Sequence, residues 1–170
     1  MGVFCLPTTY FIRGGAAMRV VQGDLFEAFR LGVVDAIAHC VNCKGVMGSG
    51  VALQMKEIYP EVYRVYKDFV QDCISEGYVP LGESLEVHTQ HGVVYNLFGQ
   101  EYYGRDQRHL DYGALADSLI GMSVDLPEGT TVGFPYKIGC DRAGGNWEVV
   151  QEIIFHFLER EGINVVFYQL

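Results

Sequence analysis

Asn42-Cys43-Lys44-Gly45-Val46-Met47-Gly48-Ser49-Gly50-Val51-Ala52 sets three glycines among small residues, directly after the apolar run 34–41 and directly before a helical pattern. A strand, a glycine loop and a helix start, in that order, make a cradle for a phosphate. The first N–H groups of a helix have no intrahelical partner and lie at the positive end of its dipole. Glycine lets the backbone take positive φ and approach a ligand with no Cβ in the way. The stretch points to an α/β protein that holds a phosphate or pyrophosphate.

Outward from this loop, strands and helices alternate. Upstream, residues 19–22 read as a short strand ended by Gly23-Asp24, and 25–31 as a helix with Leu25, Phe26 and Phe29 on one side. The apolar run 33–41 is of the kind buried on both faces, which places it centrally in a sheet. Downstream, 51–58 is helical, and Pro60 opens the next helix at a position where its missing N–H costs nothing. Val62, Tyr66, Phe69 and Cys73 give that helix one apolar face, ending near Gly77. Residues 85–87 and 93–98 read as strands with a turn at 90–92. A helix over 110–122 and a strand over 131–134 follow, running into a second glycine-rich loop, 137–145. A helix over 148–160 has paired apolar positions every four residues, with Phe155 off the pattern. The chain ends in the strand 164–170. Such alternation predicts a mixed, mostly parallel sheet covered by helices. Ligands bind beyond the carboxyl ends of such strands, so both glycine loops and the Gly23-Asp24 turn should gather at one edge.

With 170 residues, 49% of them hydrophobic, the chain has enough apolar material for one buried core. No apolar run approaches the ~18 residues of a membrane span. Residues 1–17 show neither helical nor alternating order, and no charged segment precedes their apolar residues, so a signal peptide is a poor reading. The expectation is an N-terminal extension over 1–17, a single domain over 18–170, and a monomeric cytoplasmic protein. The net charge of −9 argues against general nucleic-acid binding, which needs a basic face. A small anion held by backbone N–H groups is compatible with it.

Cys40 and Cys43 form a C-x-x-C, a spacing used by zinc and redox sites. A zinc site needs a second pair, and Cys5, Cys73 and Cys140 are isolated. Small, buried, reduced thiols are the better reading, with no metal and no cofactor expected.

Three segments together carry a family resemblance. Val20-Val21-Gln22-Gly23-Asp24-Leu25 resembles the opening strand and acidic turn of a macrodomain. The segment from His39 through Asn42 to Ala52 is similar to that family's first ligand loop. Pro135-Tyr136-Lys137-Ile138-Gly139-Cys140-Asp141-Arg142-Ala143-Gly144-Gly145-Asn146-Trp147 is similar to its second. The resemblance spans 18–170 and is closest to the branch of ADP-ribose 1″-phosphate phosphatases, terminal ADP-ribose hydrolases and DNA de-ADP-ribosylating enzymes. It implies a three-layer α/β/α fold with ADP-ribose across the strand ends.

Carried over by position, Asp24 accepts from the adenine amino group, helped by the Leu25 N–H, and Tyr168 and Leu170 border the adenine. Asn42 meets the distal ribose. Backbone donors of Val46, Met47, Gly48, Ser49, Gly50 and Val51 hold the phosphates from one side. Ile138, Gly139, Cys140, Arg142, Ala143, Gly144 and Gly145 face them from the other. Plainer readings stand beside these. Asp24 is also a suitable helix N-cap, Asn42 a suitable organiser of its own loop, and His39 a suitable core histidine. Trp147 reads as a packing residue, and Tyr102 and Tyr103 as either a cleft cover or an exposed pair.

For chemistry, His39 and Asp141 are the candidates to activate a water and protonate a leaving group, with Asn42 and Lys44 positioning or neutralising charge. Asp141 stands where the family often has glycine, and either has a task near the phosphates or points to solvent. The lysine and aspartate by which related enzymes cleave ADP-ribose from glutamate or DNA fall at Gln100 and Ala143. The expected activity is therefore metal-independent dephosphorylation of ADP-ribose 1″-phosphate. ADP-ribosyl hydrolysis, O-acetyl-ADP-ribose deacetylation and a non-catalytic ADP-ribose reader are the alternatives.

Overall fold

A computed structural model describes residues 8–13 and 16–170. In chain order the elements are β1 (Thr8–Arg13), β2 (Ala16–Gln22), α1 (Leu25–Arg30), β3 (Ala36–Asn42), α2 (Gly50–Ile58), α3 (Pro60–Ser75), β4 (Ser84–Thr89) and β5 (Gly92–Gln100). Then come α4 (Tyr112–Asp125), β6 (Thr131–Pro135), α5 (Trp147–Phe157), a 3-10 turn (Glu159–Glu161) and β7 (Asn164–Gln169). The strands form one seven-stranded sheet in the order β1-β2-β7-β6-β3-β5-β4. The five inner strands are mutually parallel, and β1 and β4 join the edges antiparallel. The expected mixed, mostly parallel sheet is the one found, with β3 inside it.

Strict alternation along the inner strands sorts the side chains onto two faces. Ala36, Ala38, Tyr95, Leu97, Val132, Phe134, Val165 and Phe167 pack against Leu115, Leu119 and Met122 of α4 and Val150 and Ile154 of α5. Their neighbours Ile37, Val94, Val166 and Tyr168 pack against Leu25, Phe26 and Phe29 of α1 and against Met55, Tyr59 and Val62. The result is three layers, α/β/α. Gly133 faces α1, and a Cβ there would stand 2.6 Å from Leu25 Cδ1, so a side chain at this strand position would displace Leu25.

Several boundaries differ from the sequence reading for identifiable reasons. β3 begins at Ala36 rather than Val33, because Gly32 turns the chain at φ +73 and Val33 is left 57% exposed. α4 begins at Tyr112, because Asp111 caps it through Oδ1 to the Ala114 N–H at 2.9 Å. α5 stops at Phe157, and the chain reverses through the 3-10 turn to Gly162 at φ +76. Only one row of its paired apolar positions is fully buried: Val150 and Ile154 are 0% exposed, Val149 39%.

The boundary expected at Met18 falls within a strand. β2 starts at Ala16 and pairs with β1 from Thr8↔Val21 to Arg13↔Ala16. The remainder of the expected extension, residues 1–7 and 14–15, lies outside the described residues.

Candidate functional site

All five parallel strands end on one side of the molecule, and a cleft of about 410 Å³ opens over β3, β5 and β6. Its lining includes His39, Asn42, Val46, Gly48, Ser49, Gly50 and Val51 from the β3 side. From the β6 side it includes Ile138, Gly139, Asp141, Arg142 and Ala143. Two motifs about a hundred residues apart in sequence thus face one space.

The first loop is organised by Asn42. Its Oδ1 accepts from the N–H groups of Lys44 (3.0 Å) and Val46 (3.4 Å) and from the Tyr66 hydroxyl (3.0 Å), and its Nδ2 donates to Val46 O (2.7 Å). A register shift in the β3–β5 pairing between Cys40 and Asn42 delivers the side chain to this position. The organising reading of Asn42 is therefore the one built into the fold, with a single amide hydrogen left over. Met47, expected to meet the ligand through its N–H, has a side chain 2% exposed and packed with Val41, Tyr66, Val70 and Phe98. It plugs the loop to the core.

The loop delivers the chain to α2. Ser49, the N-cap, makes no side-chain cap bond, and no acidic residue sits in the first turn. The N–H groups of Gly50, Val51 and Ala52 have no intrahelical partner by geometry, and all three residues line the cleft. This is an anion site in form.

The second loop supplies fewer donors than expected. Ile138 N–H donates to Pro135 O, Cys140 N–H to Lys137 O and Gly145 N–H to Gly139 O, so these three are committed within the loop. The tight turns need Gly139 and Gly144 at φ +72, and Lys137 also adopts a left-handed φ of +57. Gly144 and Gly145 pack against Arg108 and Leu110, where they shape the loop and do not line the cleft. Among the described residues, the N–H groups of Gly139, Asp141, Arg142 and Ala143 have no acceptor.

His39 and Asp141 share the cleft but are not joined. His39 is 1% exposed, and its Nε2 bonds Asn96 Oδ1 at 2.8 Å, its register partner on β5. Burial lowers its pKa to about 4, against a smaller opposing effect of the Asn96 bond. Nδ1 has no partner among the described residues. The Asp141 side chain is 81% exposed and its Oδ2 lies 3.4 Å from Arg105 Nη2. The pair expected from the sequence is therefore not assembled, because the strand commits His39 to Asn96 while the loop turns Asp141 outward. His39 is neutral at pH 7 and is not an acid there.

Asp24 caps α1, its Oδ1 accepting from Phe26 N–H (2.8 Å) and Glu27 N–H (3.2 Å). Leu25 and Tyr168 are core residues, and Leu170 is 84% exposed. The Gly23 N–H donates to Gln169 O at 2.9 Å, so the ends of β2 and β7 do meet, beside the main cleft and outside its lining. Lys44 is also outside the lining. Its Nζ pairs with Glu101 at 3.3 Å and lies 4.2 Å from the centre of the Tyr102 ring. Gln100 lines the cleft with its amide donating to Tyr102 O at 2.7 Å, and Ala143 is buried beside it. Burial pushes the thiols of Cys40 and Cys43 up to about 12 and that of Cys140 to about 11, which keeps them protonated and unreactive.

No family model matches the chain. It is 30% identical over 159 residues to a DNA ADP-ribosyl glycohydrolase of Thermus aquaticus, across 89% of this chain and 41% of that protein. It is 40% identical over 55 residues to an ADP-ribose 1″-phosphate phosphatase of Ajellomyces capsulatus, across 32% of this chain and 20% of that one. The fold superposes on the macrodomain of T. aquaticus DarG with a TM-score of 0.69 at 26% identity, covering 90% of this chain and 98% of that one. The chain belongs to the macrodomain family. It spans less than half the length of either curated relative.

Within this macrodomain, sequence reasoning missed Asn96, Tyr66, Gly104 and Arg105. Asn96 and Tyr66 were visible only as strand and helix residues, since their partners lie 57 and 24 residues away. Gly104 and Arg105 sit in a polar stretch with no periodicity to mark them. Among the described residues no helix is long and apolar enough to cross a membrane.

Proposed function

We propose that the cleft binds ADP-ribose and that its reaction is hydrolysis of ADP-ribose 1″-phosphate to ADP-ribose and inorganic phosphate. The observation that carries this reading is the opposition of two sets of uncommitted backbone donors. The first turn of α2 lies on one wall, and Gly139 with residues 141–143 on the other. Such donors bind a diphosphate and stabilise charge on the equatorial oxygens of a transferring phosphoryl group.

In this reading Asp141 swings inward from the exposed position where it meets Arg105. A water oxygen bonds to phosphorus as the bond from phosphorus to the ribose oxygen breaks. Asp141 takes the water's proton, and solvent protonates the departing ribose oxygen. Neutral His39 offers the Nδ1 lone pair to a water or ligand hydroxyl and positions it. The test is calorimetry with ADP-ribose, followed by phosphate release from ADP-ribose 1″-phosphate in the presence of chelator. Binding below 100 μM with release abolished in Asp141→Ala supports the reading. Release unchanged in that variant, or no binding, overturns it.

A second reading, removal of ADP-ribose from DNA, is favoured by the similarity across 89% of this chain to the T. aquaticus glycohydrolase. Against it, the lysine and aspartate expected of such enzymes fall at Gln100 and Ala143, neither of which ionises. Incubation with ADP-ribosylated DNA separates the two: free ADP-ribose from that substrate, and no phosphate from the other, favours the second.

A further inference from the structure

The strand order fixes which loop meets the far end of a ligand laid along the sheet edge. From β2 the edge runs through β7, β6 and β3 to β5. The loop that follows β5 therefore stands at the opposite end from Asp24, and its Tyr103 and Gly104 line the cleft.

This loop is a built element. Asp106 Oδ1 lies 2.7 Å from His109 Nε2, whose side chain is only 6% exposed. The N–H groups of His109 and Leu110 both donate to Ala143 O, at 2.9 and 3.0 Å. Gly104 has φ +143, and a Cβ there would sit 2.8 Å from Asp106 Oδ1, so the turn requires glycine. Arg105 stands between Gly104 and Asp106 on this clamped turn.

Three other cations near the cleft are engaged, which leaves Arg142, itself in the lining, as the competing candidate. Lys44 is held by Glu101 and Tyr102, Arg108 lies 4.8 Å from the Tyr112 ring centre, and Lys137 lies 5.6 Å from that of Tyr136. Among the described residues, Arg105 has only the Asp141 carboxylate at 3.4 Å, in a pair 61% and 81% exposed. A pair that open is weak and readily exchanged. A terminal phosphate carries about −1.5 to −2 charge at neutral pH and offers the planar guanidinium a better partner than one solvated carboxylate.

We propose that Arg105 binds the anionic group at the distal end of the ligand and so sets a preference for a phosphorylated over an unphosphorylated ribose. Beside both that group and Asp141, Arg105 also offsets the repulsion that an aspartate in this loop would exert on a phosphate. The inference rests on the reading that the cleft takes ADP-ribose.

The experiment measures affinity for ADP-ribose and for a non-hydrolysable 1″-phosphonate analogue of ADP-ribose 1″-phosphate. The proteins are the wild type, Arg105→Met, Arg105→Lys and Arg142→Met. The expected result is a loss of about 10- to 100-fold in phosphonate affinity for Arg105→Met, the scale of one charge-assisted hydrogen-bonded contact. ADP-ribose affinity changes less than about threefold, which also reports an intact fold. Arg105→Lys falls between, and added salt narrows the difference. Equal losses for both ligands, no loss for the phosphonate, or a selective loss in Arg142→Met alone overturns the inference and leaves the ADP-ribose reading standing. A wild type that binds neither ligand sinks both.

Discussion

His39 donates from Nε2 to Asn96 Oδ1 across the β3–β5 pairing, and Asn96 passes a second bond from Nδ2 to Leu85 O at 3.3 Å. The relay fixes both the Asn96 amide orientation and the His39 tautomer, because the amide oxygen can only accept. Burial holds the imidazole neutral against that bond, which leaves the lone pair on Nδ1.

That arrangement has a pH signature. The folded pKa of His39 is depressed to about 4 from 6.5, so the unfolded chain takes up the proton first as pH falls. The contribution to stability is complete above pH 6.5 and is lost as pH drops from there through 4, by about 3 kcal/mol in all. Urea unfolding at pH 7.5 and 4.5 should show this loss. In His39→Gln, whose amide still donates to Asn96, the difference between the two pH values should shrink by most of that amount. An equal difference in the variant would assign the pH dependence to other groups.

The Asn42 hub predicts a separation of scaffold from contact. Tyr66→Phe keeps the ring but removes a hydroxyl that donates to Asn42 O at 2.8 Å and to Asn42 Oδ1 at 3.0 Å. It should cost about 0.5–1.5 kcal/mol of stability and lower ADP-ribose affinity only a few fold. Asn42→Ala strips the acceptor from two loop N–H groups and leaves the Tyr66 hydroxyl with the Asn42 carbonyl alone. It should cost about 1–3 kcal/mol and reduce affinity at least about tenfold, as the loop loses its shape. Chemical denaturation and calorimetry on the two variants read both quantities. Equal effects on affinity would mean that loop shape alone sets binding.

These cases also show what was legible from sequence. The two glycine loops were, because their spacing and their place after apolar runs are local. Pro60 marked the start of α3 for the same reason, since a proline at N1 needs no tertiary partner. The His39–Asn96 relay was not, because strand register across 57 residues decides it. The second loop's donor count was not, because its N–H groups are consumed by carbonyls that come within reach only where the chain turns at Lys137 and Gly139. Val33 was misplaced in a strand because an apolar residue after a left-handed glycine reads the same whether it enters the sheet or rounds the corner outside it.

Glycines in the loops should divide by what a Cβ meets. At Gly48 the nearest atom is Val46 Cγ1 at 3.6 Å, an ordinary contact, yet the position lines the cleft. Gly48→Val should leave stability within about 1 kcal/mol while abolishing ADP-ribose binding. At Gly145 a Cβ would fall 2.5 Å from Leu110 Cδ2 and 2.7 Å from Gly139 O. Gly145→Ala should destabilise by about 1–3 kcal/mol, the range for overpacking, and weaken binding through the displaced loop. Thermal melts with and without ADP-ribose distinguish the two behaviours. Full binding by Gly48→Val would place the ligand elsewhere.

Asp24 allows its two readings to be separated in one protein. Its Oδ1 caps α1 through the Phe26 and Glu27 N–H groups, while Oδ2 makes no bond among the described residues. Asparagine caps about as well as aspartate, whereas alanine loses about 1 kcal/mol at such a position. Asp24→Asn should therefore keep stability within about 0.5 kcal/mol of wild type, and Asp24→Ala should fall by about 1. If the free oxygen also accepts the adenine amino group, the amide replacement can present a donor where an acceptor is needed. ADP-ribose affinity should then drop about tenfold in both variants, with ribose 5-phosphate binding unchanged. Wild-type affinity in Asp24→Asn would reduce Asp24 to its cap and move the adenine away from the β2–β7 end of the sheet.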